Sequence, residues 1–423
     1  MTNSRQNSIL MSSASEPEVP LPSLGNEESY ATVVAFARRE AIDSHTVARL
    51  ALHLAESGER LVWSDGSKVA DVASTGGPGS LSTLLCPLIT RVLGYQVVKL
   101  AVPGRPAGAI DSFGTLPGYK TTLSSTEVRR VVEACGFAHF LADARFAPLD
   151  AELFQYRRRT GAVAVPMLAA SSLLSKKLAV GVNTVGLDVR VGLHGNFGRT
   201  IEAARVNARL FCEAAALLGI RATAFLTGGT GPVQPFIGRG EALLALAYAC
   251  GVAEVEGNEW LSEHVRDCLA LTERTVAPSM VSGADSSTHK VSSADVLSVL
   301  TTHLRAQGSS IDAFESRVHA IWAAERTAIL APSDGLLTID LDLIRSALVK
   351  AQDIYPASFS DPAGLQLVVR PGKAVRKGDI LALLRWEPTT TLKLPEEVAQ
   401  SFKIASKEDD LNVQTGGMEI VHG

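Results

Sequence analysis

Between Asp65 and Cys250 the chain alternates short apolar runs that end at glycine with longer stretches whose apolar residues recur at helical spacing. This alternation restricts the fold more than any other feature. Residues 69–72 run into Gly76-Gly77, residues 95–102 follow, and residues 185–191 run into Gly192. Helical periodicity fills residues 81–93, 200–218 and 241–250. Strands separated by helices read as βαβ units, which build a mostly parallel sheet, so the expected fold class is α/β.

Other textures flank this core. Val33, Val34, Phe36, Ala37, Ile42, Val47, Leu50, Ala51 and Leu54 recur at helical spacing, with Asp43 and Ser44 as caps between two helices. A second helical stretch occupies 146–179. From about Thr327, residues 329–339, 365–370 and 380–384 look like strands, and Arg370-Pro371-Gly372-Lys373 and Arg376-Lys377-Gly378-Asp379 carry turn chemistry. The expected organisation is a disordered lead-in at 1–28 and a discontinuous helical lobe at 29–64 and 146–180. An α/β lobe follows at 65–145 and 181–325, with a small α+β domain at 326–423. The Ser-, Gly- and Asp-rich 279–291 reads as a loop.

Composition narrows the function classes. At 423 residues, 46% hydrophobic and 20% charged, the chain can bury a large apolar interior. A net charge of -4 gives no pull toward nucleic acid or anionic membrane, so neither is an expected partner. Cys86, Cys135, Cys212, Cys250 and Cys268 lie in apolar surroundings without metal-ligand spacing. They read as reduced thiols of a cytoplasmic protein with no metal site. No apolar run is long enough to span a bilayer.

Two segments carry chemistry. In the first, a glycine-rich bend, Ser74-Thr75-Gly76-Gly77-Pro78-Gly79, joins an expected strand to an expected helix. Glycine lets backbone approach an anion closely, a helix N-terminus offers N–H donors, and Ser74, Thr75, Ser82 and Thr83 add hydroxyls. The bend lacks the Gly-Lys-Ser/Thr of a P-loop and is not a dinucleotide fingerprint. In the second, Ser172 and Lys176 are four apart and so share one helix face.

These segments resemble the thymidine and pyrimidine nucleoside phosphorylase family, related in fold to anthranilate phosphoribosyltransferase. Asp71 followed by Ser-Thr-Gly-Gly-x-Gly is similar to the family's phosphate signature. Leu116-Pro117-Gly118-Tyr119, Ala147-Pro148-Leu149-Asp150, Leu153-Phe154-Gln155-Tyr156-Arg157, the helix at 172–179 and Leu187-Asp188-Val189-Arg190-Val191-Gly192 match further segments in order. Residues 364–383 look like its C-terminal domain, and Gln234-Pro235 with Ile237-Gly238, in a mobile-looking loop, resembles its cleft-closing region.

The resemblance implies reversible phosphorolysis of a pyrimidine (deoxy)nucleoside in a homodimer, with inorganic phosphate as co-substrate and no other cofactor. Arg157, Ser172 and Lys176 would hold the base, Arg157 and Lys176 being the catalytic candidates. Ser74, Thr75, Gly76, Gly77, Ser82 and Thr83 would hold phosphate. The match breaks where the family has Lys and His, since Val72 and Ala73 stand there, and where a family Thr gives way to Ala109. Arg105 and His194 are candidates to stand in for the lost charge and the lost histidine, against the plainer reading of a surface arginine and a solvated histidine. Two other readings fit the losses: a catalytically silent binder of nucleoside or base, and a glycosyl or phosphoribosyl transfer enzyme acting on a modified nucleoside.

Overall fold

A computed structural model of the chain describes residues 19–39, 42–75, 79–104, 106–192, 197–228, 231–254, 259–277, 290–355, 358–388, 392–405 and 418–422. Five strands follow the apolar runs: β1 (Ala70–Ser74), β2 (Val97–Ala101), β3 (Phe137–Leu141), β4 (Thr184–Val191) and β5 (Arg221–Gly228). β2 pairs with β3, and β1 and β5 both pair with β4, all in parallel. A parallel bridge between Val69 and Gln96 joins the two groups. The strand order is therefore β3-β2-β1-β4-β5, so the chain winds outward from β1 in one direction and then from β4 in the other. In open sheets of this kind the carboxyl ends of the two strands at the reversal flank a crevice, and ligands bind there.

Helices cover both faces. They are α1 (Glu27–Ala37), α2 (Ser44–Glu56), α3 (Ser82–Val92), α4 (Ala109–Phe113), α5 (Ser125–Cys135), α6 (Pro148–Arg159), α7 (Pro166–Ala179), α8 (Ile201–Leu217), α9 (Arg239–Ala249), α10 (Glu259–Val276), α11 (Ser293–Ala306) and α12 (Ile311–Ala323). Their starts are written in the sequence. Asn26 caps α1, Asp43 caps α2 by accepting from Thr46 N at 2.7 Å, and α6 and α7 each begin at proline. Ser44 is the first helical residue, not the cap.

Side-chain alternation along the strands separates two cores. On one face Ala73, Val185, Leu187, Val189 and Leu226 pack with apolar residues of α1, α2, α5, α6, α7 and α8. On the other, Val72 and Phe225 pack with α3, α4 and α9 through α12. A third core belongs to the C-terminal unit, built from β7 (Thr327–Leu330), β8 (Gly335–Ile339), α13 (Leu341–Asp353), β9 (Ala363–Leu367), β10 (Ala374–Val375), β11 (Ile380–Trp386), α14 (Leu394–Ala399) and β12 (Phe402–Ala405).

Two strands cross the boundary drawn at residue 326. β6 (Phe236–Ile237) pairs with β9, and β13 (Glu419–His422) returns to pair antiparallel with β5. The segment around Gln234 is thus buried and paired, in contrast to the mobile-looking loop read from its glycines. At the other end, Val19 is buried in the helical core, whereas residues 23–28 are exposed. Nearly all of the 279–291 loop lies outside the described residues. No helix among the described residues is long and apolar enough to cross a membrane.

Candidate active site

The glycine-rich bend leaves β1 at the crevice between β1 and β4. Gly79 closes it with φ +81°, and a Cβ there would meet Ile237 at 3.3 Å, so glycine serves both the turn and the packing. Gly76 and Gly77, two expected phosphate ligands, lie outside the described residues, as do Arg105 and His194.

The bend's hydroxyls are gathered on Asp188 of β4. Ser74 Oγ and Ser82 Oγ donate to its Oδ2 at 3.2 and 2.7 Å, and Thr227 Oγ1 donates to Oδ1 at 3.0 Å. Arg190, two residues on and so on the same face, donates to Oδ2 through Nε at 3.1 Å and Nη2 at 2.8 Å. Its Nη2 also reaches Ser80 Oγ at 3.0 Å, while its backbone N–H donates to Thr75 Oγ1 at 2.9 Å. Thr83 is half-buried on the first turn of α3. Burial would raise the Asp188 carboxyl, but Arg190 and the Ser82 hydroxyl outweigh it and hold its pKa below the ordinary value. Below this group, Leu81 N donates to His264 Nε2 at 2.9 Å. Burial and then Arg190 push that imidazole down to about 3, so it stays neutral and accepts.

Of the expected base-reading residues, Lys176 holds both Asp150 and Ser172. Lys176 Nζ donates to Asp150 Oδ2 at 2.6 Å and to Ser172 Oγ at 2.8 Å, which confirms the shared face predicted by their spacing. Burial lowers the Lys176 pKa, and Asp150 counters it. Arg157 lies close enough to Lys176 for the two charges to repel, but its guanidinium is already engaged with backbone. Nε donates to Ala162 O at 3.3 Å, Nη1 to Leu168 O at 3.1 Å and Nη2 to Val163 O at 2.8 Å. In this geometry Arg157 shapes the turn between α6 and α7.

Asp71 links the two corners. It accepts from Lys99 Nζ at 2.8 Å and from Lys177, the neighbour of Lys176, so α7 is fastened to the strand that carries the bend. By strand alternation, Asp71 lies on the face shared with α7, whereas Ser74, Asp188 and Arg190 lie on the other. The base corner and the hydroxyl cluster therefore sit on opposite faces of the sheet. Val72 and Ala73 are 0% and 4% exposed and belong to the two cores. The short segment after β2 is tied down by Gly104 N to Asp111 Oδ2 at 2.7 Å and by Gln352 Nε2 to Pro106 O at 2.7 Å.

The sequence reading did not single out Asp188, Arg190, Lys99 and Lys177 as site residues. A signal for three of them was present: charged residues at alternate or central positions of strands that are otherwise apolar require partners. A surface cavity of about 480 Å³, lined by residues including Arg39, Asp43, Met167, Arg209 and Glu213, shares no residue with either corner.

No protein-family model matches the chain. It is 34% identical over 213 residues to a thymidine phosphorylase of Agrobacterium fabrum, covering 49% of this chain and 48% of that one. It is 35% identical over 207 residues to a thymidine phosphorylase of Sinorhizobium medicae, covering 48% and 47%. Across that half, the chain is similar to the thymidine phosphorylases. It spans about half the length of the curated relatives it matches. Among solved structures, an anthranilate phosphoribosyltransferase from Thermus thermophilus aligns over 70% of this chain and 91% of its own, at 15% identity and a TM-score of 0.45.

Proposed function

We propose that the chain is a pentosyltransferase that cleaves a pyrimidine nucleoside by phosphorolysis, releasing base and pentose 1-phosphate. The observation that carries this reading is the Lys176 ammonium. It is buried, held at two hydrogen bonds by Asp150 and Ser172, and has a third N–H with no partner among the described residues. Directed at a ring carbonyl, that N–H stabilises the negative charge that gathers on the departing base.

A phosphate oxygen attacks C1′ of the sugar as the bond from C1′ to the base nitrogen breaks. The electron pair of that bond stays on the base, which takes a proton from water. No covalent intermediate with the protein forms, so the rate comes from positioning and from charge stabilisation. A nucleoside joining the two corners lies across the carboxyl-terminal edge of β1 and β4, because the corners occupy opposite faces.

Two observations favour a second reading, a silent binder of nucleoside or base. Arg157 is occupied by three carbonyls, and the family's Lys and His positions are apolar core. Incubation with thymidine, uridine and deoxyuridine, with and without phosphate, separates the two by following base release in absorbance. Phosphate-dependent release supports phosphorolysis, and calorimetric binding without release supports the silent binder. Absence of both binding and release contradicts both.

A further inference from the structure

Between Asp71 and Thr90 the sequence contains no cation, although the bend offers hydroxyls and opens into a helix whose first residues have no side-chain cap. The nearest positive charge comes from the neighbouring strand. Arg190 is 7% exposed, on the same sheet face as Ser74 and Ser82, and its Nη2 bridges Asp188 to Ser80 where the bend returns to α3. Asp188 grips the guanidinium through Nε and Nη2 only. The two N–H groups of Nη1 have no partner among the described residues. An arginine held along one edge, with its other edge unpaired beside three serine hydroxyls, has the fork geometry that recognises an oxyanion.

We propose that Arg190 is the cation of an oxyanion subsite at the β1–β4 crevice, taking phosphate or a sugar phosphate, with Asp188 as its positioning residue. The assignment rests on the phosphorolysis reading for its place in the reaction. It replaces the charge that Val72 cannot supply with one delivered from β4. Ser74 and Ser82, which now donate to Asp188, turn their hydroxyls to the anion when it binds. Asp188 keeps Thr227 and Arg190 as partners.

Calorimetry tests this with inorganic phosphate, ribose 1-phosphate and uracil as separate probes on wild type, Arg190→Lys and Arg190→Gln. Arg190→Gln is expected to weaken both phosphate probes about ten-fold or more, as loss of one charge-assisted pair does, and Arg190→Lys to weaken them less. Uracil affinity is expected to stay within about two-fold, because its corner lies on the opposite face. Removing Arg190 alone strands a buried carboxylate, so the pair Asp188→Asn with Arg190→Gln provides a variant without that charge, and its phosphate loss should match. Unchanged phosphate affinity in either variant overturns the assignment. A wild type that binds uracil but neither phosphate probe overturns it while sparing the base corner. A wild type that binds phosphate but not uracil instead removes the pyrimidine reading.

Discussion

The base corner and the crevice of the bend are built on different plans. At the base corner, Ser172, Lys176 and Asp150 come from two consecutive helices. At the crevice the bend carries no charged side chain, and its hydroxyls turn to an aspartate and an arginine on the next strand. The first group is held together by the spacing of neighbouring helices. The second exists only because strand order brings together segments distant in sequence.

The largest expected effect falls on the base corner. Lys176→Met leaves Asp150 buried without its cation, and urea unfolding should show a loss of about 3–5 kcal/mol together with loss of uracil binding. Adding Asp150→Asn should recover most of the stability but not the binding. Recovery of both would mean that the lysine is purely structural.

That contrast also explains what was legible. The face shared by Ser172 and Lys176 followed from spacing alone, as did the caps at Asp43 and the parallel sheet. Arg157 is a base ligand by resemblance alone, and its bonds to the carbonyls of Ala162, Val163 and Leu168 leave no mark in a side-chain pattern. Asp188 and Arg190 were visible as charges in an apolar strand, but their partners, Ser74, Ser82 and Thr227, come from segments up to 114 residues away in sequence. Only strand order brings those together. The return of β13 to the central sheet was illegible for the same reason.

Arg157→Lys separates positioning from contact at the first corner. A lysine cannot reach three carbonyls with a planar fork, so stability should fall by about 1–3 kcal/mol, while uracil affinity falls less than in Lys176→Met. An affinity loss as large as that of Lys176→Met, without destabilisation, would place the guanidinium on the ring. At the crevice, Thr227→Val removes one of four groups on Asp188 and should cost about 1 kcal/mol, with phosphate affinity nearly unchanged.

A further effect concerns acid. Burial depresses His264 to about 3 and His303 to about 4, from an ordinary value near 6.5. The unfolded chain therefore binds more protons than the fold below that value. The stability these histidines contribute is full above pH 6.5 and falls below it through both together, the loss through His303 levelling off near pH 4 and that through His264 near pH 3. Urea titrations across this range should show the decline, and His264→Gln, beneath the crevice, should flatten it. A profile unchanged by that substitution would separate His264 from the acid response.

The proposed activity requires one nucleoside to span both corners over the edge of β1 and β4. A crystal structure with uridine and phosphate bound tests it directly. The expected result is a base carbonyl within hydrogen-bond distance of Lys176 Nζ and a phosphate oxygen within reach of Arg190 and Ser74. Ligand seated elsewhere, as in the cavity beside Arg39 and Arg209, with both corners unchanged, would contradict it.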